Sequence, residues 1–267
     1  MRRALLALLL VGCAHKRPPP CYDDTFVLRA LRAGPTLRRL YLPVTFDGQP
    51  GELFVDSGSA RSFVFSEVEG EGWAPPSGKL EIGCHRFAPL RRRRSGHLAQ
   101  SIGAIGVYGA DGLFSSAATI DLRTGALHFG PEAKTPPSPT SIPLEIVHGI
   151  PITTLVVDGQ PRRLMIDTGT ADLLLLDAPP ADAELHEVRD STGRVIRFAT
   201  GSAEITWPGG VTRTVPAWRT EHHPAFERHR AELGVPLDGL LGLSAFEDAT
   251  LAVRPGARVL ELRFPVR

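Results

Sequence analysis

The chain has 267 residues, 42% of them hydrophobic, which is enough for one large domain or two lobes with a buried core. A net charge of +1 gives no electrostatic case for nucleic acid or for a strongly acidic partner. With 27 glycines and 24 prolines the chain is punctuated too often for a helical bundle, so short strands and turns are expected.

The N-terminus reads as an address. Arg2 and Arg3 precede the apolar run "ALLALLLVG", which is too short to span a bilayer as a helix, and Cys13 follows. "LVGC" resembles a bacterial lipoprotein box. That resemblance implies a signal peptide over 1–12, cleavage before Cys13 and lipid on its sulfur. Residues 13–24, including "AHKRPPP", then form a lipidated cysteine and tether. By analogy Ala14 favours the outer membrane, facing the periplasm. The alternative is an ordinary signal peptide with an incidental cysteine. In an exported chain Cys21 and Cys84 would meet oxidising conditions; they are either a disulfide pair or two free thiols.

From residue 39 the pattern is that of strands. "RLYLPVTF" alternates into the turn dipeptide Asp47-Gly48, and "GELFV" resumes as the second arm of a hairpin. The pattern recurs as "TTLVV", Asp158-Gly159 and "RRLMI". Sliding the chain by 111 residues lays "DGQPGELFVDSGSA" (47–60) on "DGQPRRLMIDTGTA" (158–171), with eight of fourteen positions identical. Two further echoes keep the order: "DGLF" (111–114) with "DGLL" (238–241), and "LRTGA" (122–126) with "VRPGA" (253–257). A fixed order of matching blocks marks an internal duplication. The Pro-rich stretch 133–143 reads as a linker, dividing a first lobe over 25–132 from a second over 144–267. The second lobe is longer in its middle, where 193–218 predicts a hairpin around Pro208-Gly209-Gly210. "HPAFERHRAEL" (223–233) is the best helix, with Gly234 as its stop.

Each repeated phrase ends an apolar strand in an aspartate, a hydroxyl residue, a glycine and a second hydroxyl residue. The glycine lets backbone N–H groups approach the carboxylate, and Ser59 and Thr170 are placed to donate to Asp56 and Asp167. If the lobes pair about a pseudo-twofold axis, Asp56 and Asp167 meet within hydrogen-bonding reach. Two carboxyls that close hold one proton between them: the charged one can deprotonate water, the neutral one can donate to a carbonyl oxygen.

"FVDSGSARSFV" and "MIDTGTADLLL", each between a hairpin and a "DGL" segment, resemble aspartic peptidases, in shape a single-chain relative of the retropepsin type. The dyad of that family is a known worked case of coupled carboxylates. The resemblance covers nearly all of 37–267. It implies a mainly β fold of two homologous barrel-like lobes with the active-site cleft between them, and a pseudo-dimeric monomer. It implies aspartic endopeptidase activity on an extended peptide or protein, with no metal or organic cofactor. Asp56 and Asp167 would be catalytic; Ser57, Gly58, Ser59, Thr168, Gly169 and Thr170 would support their loops. "LLG" (240–242) matches the segment beneath the second aspartate loop, and the hairpin within 193–218 matches a flap. The first lobe departs from the pattern: "DGLFSS" puts Ser115 where the second lobe has Gly242, and its flap counterpart is short. A catalytically inactive binding module of the bacterial cell envelope on the same scaffold is the alternative reading.

Other constellations carry less. Glu221, His222, His223 and His229 have no defensible metal spacing and read as a polar loop entering an exposed helix. "HEVRD" (186–190) has Asp190 where a zinc-binding helix needs its second histidine. Arg91–Arg94 reads as a solvated basic loop, with contact to anionic lipid as the alternative.

Overall fold

A computed structural model describes residues 25–265 apart from 35, 67–69, 71, 84, 88, 95, 116, 131–139, 190–193, 255 and 257. The expectations for the signal peptide, for Cys13 and the tether, for Cys21 with Cys84, and for most of the linker fall outside the described residues.

The first lobe runs β1 (Thr25–Val27), β2 (Arg29–Ala33), β3 (Thr36–Phe46), β4 (Gln49–Val55), β5 (Phe63–Phe65), β6 (Gly72–Ala74), β7 (Leu80–Ile82), β8 (His85–Arg86), β9 (Arg91–Arg94), α1 (Gly96–Ile102), β10 (Gly106–Tyr108), α2 (Ala110–Leu113), β11 (Ala118–Asp121) and β12 (Ala126–Phe129). Next come β13 (Thr140–Pro143), β14 (Glu145–Val147), β15 (Ile150–Val157), β16 (Gln160–Ile166), β17 (Leu173–Leu175), β18 (Leu185–Arg189), β19 (Val195–Thr206), β20 (Thr212–Arg219), α3 (Pro224–Leu233), β21 (Gly239–Leu241), a 3-10 turn (Leu243–Phe246), β22 (Thr250–Arg254) and β23 (Val259–Arg263).

The duplication is visible in the strand order. One sheet follows β6-β9-β5-β10-β4-β3-β7-β8 with β2 outside β3, and the other follows β14-β15-β16-β21-β17-β20-β19-β18. Corresponding strands pair alike: β10 lies parallel to β4 and β21 parallel to β16, while β3 closes on β7 as β15 closes on β19. Both hairpins turn as the sequence predicts. Asp47 and Gly48 have φ of 50° and 78°, Asp158 and Gly159 of 49° and 74°, the left-handed pair a two-residue hairpin needs. Each turn aspartate also ties down its closing strand: Asp47 accepts from Lys79 N–H, Asp158 from Glu204 N–H, both at 2.8 Å.

A third sheet, ordered β1-β12-β11-β22-β23-β13, belongs to both lobes. At its centre β11 pairs with β22, Ile120 opposite Leu251, and a continuous apolar core runs beneath both lobes. This corrects the linker: residues 140–143 are not a spacer but a strand, with Ile142 fully buried and paired with Leu260. The alternation Thr-Ser-Ile-Pro was masked by the prolines before it.

The helix forms where the pattern placed it, one residue later, and Gly234 takes the left-handed stop with φ 67°. His223 is its N-cap, accepting from Phe226 N–H at 3.2 Å, and His222 pairs with Glu227 at 2.6 Å. Those roles account for two of the three histidines in that stretch. Arg91–Arg94 is not a loop. It is a strand between β5 and β6, with Arg91 stacked 4.8 Å from the exposed Trp73 ring.

Candidate active site

β4 and β16 lead straight into the two aspartates. Each loop hangs from a neighbouring strand: Asp56 N–H donates to Tyr108 O and Asp167 N–H to Leu241 O, both at 3.0 Å. Within each loop the turn closes identically, Ser59 N–H on Asp56 O and Thr170 N–H on Asp167 O at 3.1 Å.

The loops then grip one another. Ser57 Oγ donates to Ile166 O at 2.8 Å and accepts from Thr168 N–H at 3.0 Å. Thr168 Oγ1 donates to Val55 O at 3.1 Å and accepts from Ser57 N–H at 3.0 Å. Both hydroxyls are buried, Ser57 completely. Four crossed hydrogen bonds in a dry place fix the relative position of the strands that carry the aspartates.

Glycine makes room for the carboxyls to meet. A Cβ on Gly58 would stand 2.7 Å from Asp167 Cγ and Oδ1. A Cβ on Gly169 would stand 2.7 Å from Asp56 Cγ and Oδ1 and 3.0 Å from Asp167 Oδ1. Each carboxyl therefore lies over the opposite loop's glycine, and one point in space touches an oxygen of both. Gly58 N–H donates to Asp56 Oδ1 and Gly169 N–H to Asp167 Oδ1, each at 2.9 Å. The Asp56 carboxyl is held well above the ordinary carboxylate range, first by burial, then by the Asp167 charge and a hydrogen bond between the two side chains. The N–H groups of Gly58 and Ser59 oppose this.

The pair is not symmetric. Thr170 Oγ1 donates to Asp167 Oδ2 at 2.8 Å as expected, but Ser59 Oγ turns away to Arg61 O at 2.9 Å. Asp56 thus lacks the hydroxyl that Asp167 has. A charged carboxylate gains more from a donor than a neutral acid does, so this difference favours the charge on Asp167 and the proton on Asp56.

Two assignments from the repeat change. Pairing places Gly106–Tyr108 on Gly239–Leu241, so Gly109, not Ser115, stands where the second lobe has Gly242. Ala110 N–H reaches Ser59 O at 2.8 Å and Leu243 N–H reaches Thr170 O at 2.9 Å. A Cβ on Gly109 would stand 2.6 Å from Arg61 C; one on Gly242 would strike Asp172 O. At this position the first lobe therefore matches the second, with "VYG" (107–109) answering "LLG" (240–242). Sequence reading missed Gly109 because "DGLF" matched the wrong register, although Gly-apolar-apolar-Gly occurs in both halves.

The hairpin of 193–218 is β19–β20, but its turn is no free flap. Trp207 is buried there against Phe246 and Phe264, with ring centroids at 5.7 and 5.6 Å. The extra length of the second lobe goes instead to β18, which pairs with β19 and has no counterpart among the described residues of the first lobe, where residues 66–71 separate β5 from β6. Leu185, Val188 and Val195 on that hairpin are exposed.

No family model matches the chain, and no curated protein matches it by sequence. Among solved structures it is similar to the crystal structure of the aspartic proteinase from Irpex lacteus, at 12% identity and a TM-score of 0.51, over 90% of this chain and 97% of that one. At such identity the likeness shows the fold: two β-rich lobes of the acid-protease type.

Proposed function

We propose that this protein is an aspartic-type endopeptidase, with Asp56 and Asp167 as its catalytic pair. One observation carries the reading: both carboxyls crowd a common point in a protease-like fold, held there by the Gly58 and Gly169 cradles. Asp167, charged and oriented by Thr170 and Gly169 N–H, takes a proton from a water bound between the carboxyls. Asp56, kept neutral by burial and its neighbour, donates to the carbonyl oxygen of the scissile amide. Water attacks the carbon to give a diol; as it collapses the C–N bond breaks, the proton gained by Asp167 passes to the leaving nitrogen, and a diol hydroxyl returns a proton to Asp56. Positioned acid–base catalysis of this kind contributes about 10²–10⁴-fold per group. The substrate in this proposal is an extended peptide lying between the lobes. The chain would work at the cell envelope on a lipid tether at Cys13, and Ser57, Ser59 and Thr168 would hold the loops rather than touch substrate.

The test is cleavage of an unfolded protein between pH 3 and 7 by wild type, Asp56→Asn and Asp167→Asn. The proposal expects wild-type cleavage that either substitution abolishes while the fold persists. Cleavage surviving either change refutes the pair. A folded wild type with no cleavage supports the second reading, a binding module; what favours it is that the described residues of the first lobe include no closing hairpin like β18–β19, with six residues between β5 and β6.

A further inference from the structure

The lobes differ where the repeat predicts likeness. In the second lobe the 3-10 turn is covered by the start of β3 from the first lobe. Leu37 N–H and Arg32 both reach the Glu247 carboxylate at 3.2 Å, and Arg38 pairs with the buried Asp172 at 2.6 Å. β15, the counterpart of β3, starts only at Ile150, because the residues at the same offset as Thr36–Arg38 end β14 (Val147) and turn the hairpin (His148, Gly149). α2, the counterpart of the 3-10 turn, buries Ala110, Gly112 and Leu113 but leaves Asp111 exposed, and beside it opens a cavity of about 280 Å³.

Its walls combine one apolar face with opposed charges. Leu80, Phe87, Leu90 and the Tyr108 ring supply the apolar face, and Arg61, Arg91 and Asp111 stand around it. Asp111 is fixed rather than flexible: its Oδ1 accepts from Ser62 N–H at 2.7 Å and from Ser62 Oγ at 2.6 Å, and Gly109 N–H donates to that same Oγ. Among the described residues its Oδ2 has no donor, and neither Arg61 nor Arg91 has a carboxylate partner. Two unneutralised guanidinium groups against half a carboxylate favour an anionic guest, and a guanidinium fork suits a carboxylate. The volume lies just below the ~300–1,000 Å³ of drug-sized sites, so it suits a single-residue ligand.

We propose that this cavity binds an apolar residue bearing a free α-carboxylate. The carboxylate lies on Arg61 and Arg91, the side chain on Leu80, Phe87, Leu90 and Tyr108, and the nitrogen donates to Asp111 Oδ2. A free amino acid and the last residue of a peptide share this chemistry. The site is separate from the aspartate pair and its occupancy does not rest on peptide cleavage.

Calorimetric titration of the full chain with N-acetyl-L-leucine, L-leucine and L-leucinamide tests it. The expected result is one site that binds at least one of the two acids, with the amide at least tenfold weaker. Binding of the acetylated acid alone identifies peptide ends as the source, and binding of the free amino acid alone identifies amino acids. Arg61→Gln is expected to weaken the acid at least tenfold with unchanged unfolding temperature, and Leu90→Trp to abolish binding by filling the space. The proposal is overturned if the amide binds as well as the acids, if Arg61→Gln leaves affinity unchanged, or if no compound binds at millimolar concentration.

Discussion

Thr168→Val is the sharpest probe of how the two lobes are held in register. The side chains have nearly the same shape, so packing is kept and only Oγ1 is lost. Ser57 N–H then has no acceptor and Val55 O loses a donor, in a place where Ser57 is completely buried and water cannot substitute. Each orphaned buried group costs about 1–3 kcal/mol, so the pair costs about 2–6 kcal/mol. For a chain of this size 1 kcal/mol moves the melting temperature by about 2–4 °C, which gives a fall of roughly 4–24 °C. Thermal unfolding followed by circular dichroism, with urea unfolding to check that the slope is unchanged, measures it. Thr168→Ser retains the hydroxyl and is expected to recover most of the loss. A valine variant melting within about 1 °C of wild type would refute the claim that the crossed hydrogen bonds fix the loops.

The cradle glycines should separate activity from stability. In Gly58→Ala and Gly169→Ala the new methyl meets the end of a carboxyl side chain, which can swing aside, so peptide cleavage should fall at least 100-fold while melting shifts by only about 1 kcal/mol equivalent. Gly109→Ala drives Cβ into the backbone of Arg61 and should destabilise strongly, by roughly 2–4 kcal/mol in urea unfolding, whereas Ser115→Ala should stay within ~0.5 kcal/mol. Asp56→Asn should stabilise the fold at neutral pH. The raised Asp56 value means the folded state binds the proton more tightly than the unfolded chain. Its contribution is therefore full at acid pH and is lost as pH rises through the folded value. Urea unfolding should show the variant ahead of wild type by on the order of 1 kcal/mol at pH 7 and the gap closing toward pH 3.

The repeated phrase made the centre of this molecule legible. A fourteen-residue match at one offset placed both aspartates, both gripping hydroxyls and both cradle glycines, because duplicated loops that meet on an axis must stay alike. Composition and turn dipeptides gave the two β lobes, since Asp-Gly turns have a backbone requirement few other pairs meet. What failed did so for identifiable reasons. The second echo was set by four letters, and parallel pairing of β10 with β4 shows that Gly109, three residues upstream of the matched glycine, is the one that sits against the loop. Ser59 turned to Arg61 O although Thr170 did not turn from Asp167, a choice between equivalent acceptors that no local pattern encodes. Strand β13 was hidden because pairing with β23, a contact over more than a hundred residues, decides its conformation. The cavity beside α2 is lined from segments around residues 61, 80–91 and 108–115 that only the folded chain brings together, so no local pattern announces it.

Carbon-detected NMR titration of the aspartate side chains in wild type and Asp167→Asn tests most directly whether the two carboxyls behave as one titrating unit. In wild type Asp56 should titrate well above an ordinary carboxyl. In the variant it should fall, while remaining elevated because burial is unchanged. An Asp56 titration that is identical with and without the Asp167 charge would contradict the dyad.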